Sequence, residues 1–227
     1  MTSVRLLQAN LGGIDTRVAH APQHFLPDRD ISYAEWYWDD QNFPLRSASF
    51  TPRMQAKIPK VLGWELLDPP SDIYIWLDAS FQMQEGAVAW LLSELGGEDF
   101  AIFQHPRRSS LADEVAFLRK RLTKRYVGSG YIRERYANEW LDLQVETYLE
   151  DPDFVDNRLF ACGCFLYRPT PAVQALMRDW WYHITRYHIN DQLSLPYVLA
   201  KSQVAVHTIH ANIYKCPWHL RYCRGDR

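Results

Sequence analysis

Long hydrophobic runs, a strong excess of one charge and cysteine-rich patterns are all missing from this sequence. No apolar stretch approaches the roughly 20 residues needed to cross a membrane. The 25 basic and 27 acidic residues of the 227-residue chain leave a formal net charge of −2, so the overall charge gives no case for binding a polyanion. The opening residues, MTSVR, lack a signal-peptide pattern, and we therefore expect a cytoplasmic protein.

The four cysteines form no recognisable metal-binding pattern, because their C-x-C and C-x6-C spacings do not match the usual zinc sites. A disulfide is disfavoured in a cytoplasmic protein. Internal repeats are absent too, and the hydrophobic content of 47% is ordinary for a globular protein. The nine tryptophans and thirteen tyrosines suit either a packed core or the flat face of a sugar ring. The length predicts one domain spanning residues 1–227.

Apolar segments separated by Gly, Pro and polar residues predict strands that alternate with helices. The predicted strands cover residues 4–9, 31–38, 73–77, 100–104, 159–167 and 203–207. The predicted helices cover residues 53–67, 86–95, about 111–126 after a Ser110 cap, 132–149, 171–187 and 191–200, and we expect an irregular C-terminal tail. This alternation predicts an α/β fold with a mainly parallel central sheet flanked by helices.

Residues 74–80 (YIWLDAS) carry the most informative motif. Their β-branched and aromatic side chains predict a buried strand of a parallel sheet, and Asp78 directly follows it. Open α/β sheets bind ligands at the carboxyl ends of their strands. An acid there can hold a hard divalent cation, which in turn holds a diphosphate. Many acids in this position only cap helices, so Asp78 alone decides little.

Three basic residues precede this motif on a predicted helix. Arg53, Lys57 and Lys60 recur at spacings of four and three, close to one helical face. Their cations either pair with Asp78, meet a donor phosphate or lie on a solvated face.

Two further segments carry groups suited to sugar chemistry. Gly163 lies within a strand, where glycine favours close approach of a ligand or of backbone. Asp191 and Gln192 begin a helix, and a carboxylate and an amide there can hold sugar hydroxyls or act on a proton. The alternative for Asp191 is simple helix capping.

The C-terminal tail carries His207, His210 and Lys215 ahead of a Pro-Trp pair. Neutral histidine binds transition metals such as Mn²⁺, and lysine is a point charge suited to phosphate. A histidine in a tail is also often incidental.

Two predicted helices carry a basic cluster, which either holds an anionic acceptor such as DNA or an acidic glycan, or is a solvated face. We favour the solvated face, because acidic residues are interspersed. The cluster consists of Arg119, Lys120, Arg121, Lys124, Arg125, Arg133 and Arg135.

The order of these segments resembles the GT-A glycosyltransferases, in particular glycosyltransferase family 8. The matching positions are Lys57, residues 77–80 (LDAS), 161–163 (ACG) and 191–192 (DQ), and the tail 210–218. Over residues 4–220 the chain also resembles the TOD1/MUCI70 glycosyltransferase-like domain. That second resemblance is carried by residues 76–80 (WLDAS), 105–107 (HPR), 113–114 (DE), 180–181 (WW) and 191–194 (DQLS).

The resemblance implies a GT-A domain, with a donor-binding part at about residues 1–105 and an acceptor and C-terminal part at about 106–227. It implies transfer of a sugar, with retention at the anomeric carbon, from a nucleotide-sugar donor, with a UDP-sugar as the expected donor. The acceptor would be a hydroxyl group of a glycan, a protein or a nucleic acid. Asp78 and His210 would hold a divalent metal, Mn²⁺ or Mg²⁺, on the diphosphate. Asp191 and Gln192 would be the catalytic pair, and in an inverting enzyme Asp191 would instead be the general base.

The remaining expected site residues divide between the two substrates. The donor-binding residues are Asn10, Leu11, Gly12, Asp39, Asp40, Arg53, Lys57, Ser80 and Lys215, and the acceptor residues are His105, Arg107, Glu114 and Trp181.

Three departures from the family-8 pattern matter. Ser80 replaces the second acid of the metal-binding motif and removes one charge from that site. Ile213 replaces a glycine of the terminal motif, and Lys215 comes one residue early. The alternative function is therefore a non-catalytic module that binds a nucleotide-sugar or a carbohydrate, with Ser80 as a sign of decay.

Overall fold

The computed structural model describes residues 1–26, 30–44, 50–123, 130–137, 139–216 and 218–223. Its strands are β1 (Thr2–Ala9), β2 (Ile31–Trp38), β3 (Ile73–Leu77), β4 (Phe81–Met83), β5 (Phe100–Gln104), β6 (Phe160–Tyr167), β7 (Val206–Ile209) and β8 (Leu220–Tyr222). Its helices are α1 (Pro52–Leu62), α2 (Ala87–Leu95), α3 (Leu111–Leu122), α4 (Gly130–Tyr136), α5 (Leu141–Leu149), α6 (Pro171–Arg186) and α7 (Asp191–Lys201), with a 3-10 turn (Gly63–Glu65) after α1. Across the described residues, none of the helices has the length and apolar character that a membrane crossing requires.

Six strands form the central sheet in the order β2-β1-β3-β6-β5-β7. β1 pairs in parallel with β2 and β3, and β5 pairs in parallel with β7. β6 runs antiparallel to both of its neighbours, β3 and β5. The strands β1, β2, β3, β5 and β7 therefore all end at the same edge of the sheet. The expected α/β class with a mainly parallel central sheet is confirmed.

Helices cover both faces of the sheet because its central strands are apolar on both sides. All five residues of β3 are buried. On one face, α1, α6 and α7 pack against side chains such as Leu7 and Trp76. On the other face, α2 and β4 pack against side chains such as Leu6 and Ile75. A third apolar cluster joins α3, α5 and the start of α7.

The structure corrects several predicted boundaries. The helix predicted over residues 53–67 ends at Leu62 and is followed by a 3-10 turn. The last strand of the central sheet is Val206–Ile209 rather than residues 203–207, because its pairing with β5 begins at Val206. The helix predicted over residues 132–149 is two helices, since the backbone leaves helical geometry at Trp140, with φ −86° and ψ 51°. The tail contains β8, which pairs with β4 in a small antiparallel sheet. The predicted Ser110 cap is confirmed, and its Oγ accepts a hydrogen bond from Asp113 N at 3.1 Å.

The turn after β1 depends on a glycine in close contact with the start of α1. Gly12 has φ +71°, and a Cβ added there would lie 2.7 Å from Pro52 Cβ. Its neighbour Gly13 has φ +59° but faces open space. The two glycines therefore share a left-handed backbone and differ in packing.

We expect Gly12→Ala to lower the free energy of unfolding by about 2–5 kcal/mol, which combines left-handed strain with overpacking. Gly13→Ala should lose only about 1–2 kcal/mol, because strain alone applies there. Urea denaturation of both variants measures the difference. Equal losses of stability in the two variants would show that the structure around Pro52 relaxes to accept the added methyl group.

Candidate active site

Two adjoining cavities open at the sheet edge where β1 and β3 end. The first cavity lies between the residues that follow β1 and helix α1. The second cavity extends from the end of β3 past β6 to the start of α7. The residues that line both are Lys57, Lys60, Asp78, Ser80 and Arg135. The structure thus brings together side chains that are up to 78 positions apart, from Lys57 to Arg135, at the boundary between two spaces.

Four charged side chains meet at this boundary. Lys60 Nζ lies 3.0 Å from Asp78 Oδ1 and 2.7 Å from Asp191 Oδ2. Lys57 Nζ lies 2.7 Å from the same oxygen of Asp191. Side-chain exposure is 7% or less for Lys57, Lys60 and Asp191, and 40% for Asp78. Charges buried to this degree persist only when paired, so the four groups form one electrostatic unit, here called the lysine–aspartate cluster.

Helix α1 supplies both lysines from one face. Thr51 caps the helix by accepting a hydrogen bond from Met54 N at 3.2 Å, and Pro52 takes the first helical position. Lys57 and Lys60 are three residues apart and are therefore neighbours along the helix. The predicted pairing with Asp78 is made by Lys60. Lys57 instead donates to an acid 134 residues away, which no helical spacing predicts.

The start of α7 holds Asp191 in place without using its side chain as a cap. The cap is Asn190, whose Oδ1 accepts a hydrogen bond from Gln192 N at 3.4 Å. Trp180 Nε1 donates to the backbone oxygen of Asp191 at 3.1 Å, from the buried side of α6. The Asp191 carboxylate is therefore available to the lysines, and simple helix capping is the wrong interpretation of this residue.

The charges in the cluster reinforce one another. Burial works to raise the pKa of Asp191, but Lys57 and Lys60 outweigh it and hold that pKa well below its usual range. Burial works to lower the pKa of Lys60, and the Asp191 and Asp78 carboxylates outweigh it and raise that pKa. Burial lowers the pKa of Lys57 against the attraction of Asp191. Asp191 is thus held in its ionised form.

Gly163 allows the chain to pack closely around Asp78. Asp78 N donates to the Gly163 carbonyl at 2.7 Å. A Cβ added at Gly163 would lie 3.0 Å from Phe81 and 3.6 Å from Asp78 Oδ2. The β5–β6 register also shifts here, from Ile102 opposite Phe165 to Phe103 opposite Ala161. The glycine therefore permits close approach of protein groups beside the acid.

The second cavity has a polar wall built around Glu114, which is 2% exposed. Its Oε1 accepts hydrogen bonds from Asn190 Nδ2 at 3.2 Å and Gln192 Nε2 at 3.3 Å. Its Oε2 accepts one from Arg108 Nε. Glu114 thus orients the Gln192 amide that the sequence singled out. Arg108 and Asn190 were not predicted as site residues, because neither belongs to a motif.

His105, which the sequence suggested as an acceptor residue, lines the second cavity. Its Nδ1 accepts from the backbone N of Arg108 at 3.0 Å. Burial, with the charges of Arg108 and Arg107, lowers the pKa of His105 to about 4. The imidazole is therefore neutral near pH 7. Glu114 lines the same wall.

Five of the predicted donor-binding residues line the first cavity, namely Asn10, Leu11, Arg53, Lys57 and Ser80. Gly12 does not, and its N donates to both carboxylate oxygens of Asp40, at 2.9 and 3.1 Å. Asp39 Oδ1 accepts from Gln41 N at 3.0 Å and belongs to the turn after β2. Asp39 and Asp40 line neither cavity. Asp39 and Asp40 instead stabilise the loops beside the first cavity, because short acidic side chains in turns accept hydrogen bonds from nearby backbone amides.

Two predicted acceptor residues lie outside the second cavity. Arg107 is exposed, whereas its neighbour Arg108 turns inward to Glu114. Trp181 lies on α6 and stacks on Phe50, with ring centroids 6.4 Å apart. It follows the inward-facing Trp180, and successive helical residues point about 100° apart. Arg107 and Trp181 therefore do not line the second cavity, and their role in binding the acceptor stays a prediction.

The C-terminal loop reaches the second cavity through Tyr214 rather than through the residues predicted from the sequence. Lys215 and His210 are exposed and line neither cavity. Tyr214 packs against Phe81, with ring centroids 5.7 Å apart. Tyr214 is 46% exposed, so partial burial with the charge of Asp78 raises its pKa. Pro217 lies outside the described residues.

The residues present do not fit the predicted metal site. Asp78 Oδ1 already accepts from Lys60 Nζ and from Trp76 Nε1 at 2.8 Å, and Ser80 offers only a hydroxyl. His210 follows β7, three strand positions from β3, or about 14 Å at about 4.8 Å per strand. Its Nδ1 lies 2.8 Å from Gln104 Oε1. Over the described residues, no three His, Cys, Asp or Glu side chains are grouped as ligands. The predicted convergence of Asp78 and His210 is wrong.

The basic cluster of the predicted helices is split between two environments. Arg119 pairs with Asp142 at 2.6 Å, and both side chains are more than half exposed. Arg135 instead lines both cavities. Lys124 and Arg125 lie outside the described residues.

Comparison with known proteins assigns the chain to a family. A profile of the TOD1/MUCI70 glycosyltransferase-like domain matches residues 45–219, and the chain belongs to this family. Similar solved structures include mouse xyloside xylosyltransferase 1 in its apo form, at 13% identity and TM-score 0.48, covering 92% of this chain and 85% of that chain. Another is apo WbbM, a bifunctional glycosyltransferase, at 9% identity and TM-score 0.45, covering 78% of this chain and 28% of that chain. No curated protein sequence matches.

We expect Asp191→Asn to lower the free energy of unfolding by about 3–5 kcal/mol, because it leaves two buried cations short of an anionic partner. The matched control is Asp142→Asn, which breaks the exposed pair with Arg119 and should cost at most about 1 kcal/mol. Chemical denaturation of both variants measures this difference. A small loss at Asp191 would mean that the lysine–aspartate cluster does not stabilise the fold.

Proposed function

We propose that this protein transfers a sugar from a nucleotide-sugar, a UDP-sugar above all, to a hydroxyl group of an acceptor. Membership of a glycosyltransferase-like family supports glycosyl transfer in general. The observation that carries the proposal is the shared lining of the two cavities. A glycosyltransferase must hold its donor and its acceptor on either side of the glycosidic bond that is broken. The lysine–aspartate cluster lies between the two cavities and could separate the two substrates in this way.

The first cavity suits the nucleotide part of the donor. It opens at the carboxyl ends of β1 and β3, where open α/β sheets bind ligands. In this assignment Asn10 and Leu11 border the nucleoside. Arg53, Lys57 and Lys60 supply positive charge for the diphosphate.

The second cavity suits the transferred sugar and the acceptor. Asp191 and Gln192 line it beside the aromatic rings of Tyr136, Tyr214 and Tyr222. A carboxylate and an amide can hold sugar hydroxyls, while flat rings cover the apolar face of a sugar. The acceptor is a glycan, a protein or a nucleic acid.

Retention is the stereochemical course that we propose. Inversion needs a general base whose pKa suits removal of a proton from the acceptor hydroxyl. Of the described residues that line the second cavity, the three acids are each held by a cation. Lys60 holds Asp78, both lysines hold Asp191, and Arg108 holds Glu114. The lowered pKa of Asp191 supports a role in orienting the sugar rather than in taking a proton.

A non-catalytic module that binds nucleotide-sugars is the second candidate function. Ser80 favours it, since this position lacks the acid of the family-8 motif. Such a module would bind the donor in the same cavity and release no product.

Metal dependence of transfer stays a prediction of the sequence resemblance.

The proposed function is tested by incubating the protein with a panel of nucleotide-sugars and measuring released nucleotide and free sugar. We expect at least one donor to be hydrolysed, and Asp191→Asn to lower turnover by about 10²-fold or more in the folded fraction. Asp142→Asn should keep near-normal turnover. Donor binding with no release of nucleotide, even with candidate acceptors present, would favour the binding module.

The acceptor assignment predicts a separation of two activities. Glu114→Gln removes the anion that holds Arg108 and Gln192, so transfer should fall about 10-fold or more, and further than donor hydrolysis falls. Arg107→Ala, on the exposed neighbour of Arg108, should affect neither. Both rates are measured on the same preparations. If Glu114→Gln lowers hydrolysis and transfer equally, the polar wall around Glu114 belongs to the donor site rather than to the acceptor site.

A further inference from the structure

The two lysines of the cluster hold more hydrogen-bond donors than their partners use. Each ammonium group has three N–H donors. Lys57 Nζ donates to Asp191, and Lys60 Nζ donates to Asp78 and Asp191. Over the described residues, three of these six N–H groups have no acceptor, although side-chain exposure is only 7% and 4%. A buried N–H group without an acceptor lowers the stability of the fold. Water, or a ligand with several oxygen atoms, would supply the missing acceptors.

Among the side chains that line the first cavity, cations outnumber acids. The described residues that line it include four cations and two acids, a formal excess of +2. Two acids outside this lining reduce the excess, because Asp191 lies against both lysines and Glu134 lies 3.9 Å from Arg53. The diphosphate of a nucleotide-sugar carries about two negative charges. A divalent metal would raise the excess by two and would lie close to Lys60.

Lys60 also occupies the place where a metal would bind one oxygen of Asp78, Oδ1. A metal ligated by Asp78 Oδ1 would lie about 2.0–2.6 Å from that oxygen. Lys60 Nζ already lies 3.0 Å from it, and Trp76 Nε1 donates to the same atom. Neither a second acid nor His210 completes a metal site there. The cation beside Asp78 is therefore supplied by the chain itself.

We propose that Lys57 and Lys60 bind the donor diphosphate directly, and that donor binding needs no divalent metal. The inference rests on the proposed function. Asp78 and Asp191 hold the two ammonium groups in place, and their remaining N–H groups donate to phosphate oxygens. During transfer, the bond from the anomeric carbon to the diphosphate oxygen breaks as the bond to the acceptor oxygen forms. The leaving diphosphate takes the acceptor proton, and the lysines keep theirs while they stabilise its charge.

The first test is binding of UDP, GDP, CDP, ADP and inorganic pyrophosphate by isothermal titration calorimetry, with the wild-type protein in EDTA and then in excess Mn²⁺ or Mg²⁺. We expect at least one nucleoside diphosphate to bind in EDTA. Added metal should change its affinity by less than about 3-fold.

The second test compares one substitution at two lysines. Lys57→Met removes the charge and keeps Asp191 paired with Lys60, and it should weaken binding in EDTA by about 10- to 100-fold. Lys215→Met should change affinity by less than about 2-fold, because Lys215 lines neither cavity. Loss at Lys215 with none at Lys57 would overturn the proposal. If Lys57→Met does not fold, the proposal is decided by the first test, which compares binding to the wild-type protein in EDTA and in excess metal.

The outcomes separate this inference from the proposed function. Binding that appears only with metal overturns the lysine assignment and leaves glycosyl transfer standing. Failure of every nucleoside diphosphate to bind in either condition overturns both. Binding in EDTA without hydrolysis of any nucleotide-sugar supports the lysine assignment and contradicts the transferase.

Discussion

The contacts of Lys60 with two acids hold the candidate site together. Its ammonium group joins the end of β3, through Asp78, to the start of α7, through Asp191. A buried cation without partners would be strongly destabilising, so helix α1, the central sheet and α7 must keep their relative positions. The boundary between the two cavities follows from this constraint, because the same side chains line both.

The fold was largely predictable because strand and helix patterns are local. The bounds of β2, β3 and β5 agree with the sequence prediction, since each is a β-branched or aromatic run ended by polar residues. The division of the predicted helix at Trp140 and the β4–β8 pairing were missed. Both depend on contacts between distant parts of the chain, which local periodicity does not contain.

The site was predictable in part for the same reason. Motifs and helical spacing indicated Asp78, Lys57 and Asp191, but their mutual contacts depend on the tertiary fold. Arg108 belongs to no motif, and Tyr214 occupies a variable position of the terminal motif; both line the second cavity through the packing of loops. One departure from family 8 also lies beside the site. Ile213, which replaces a glycine, is buried 3.4 Å from where Gly163 would carry a Cβ, and the loop then presents Tyr214 to the cavity.

A crystal structure with an intact nucleotide-sugar tests the central claim most directly, namely that the lysine–aspartate cluster lies between donor and acceptor. The account predicts diphosphate oxygens within hydrogen-bond distance of Lys57 and Lys60, about 2.7–3.2 Å. It also predicts the sugar beside Asp191 and Gln192. A donor bound instead in the separate cavity formed by β1, β2 and residues 17–20 would contradict it, because that cavity shares none of these residues.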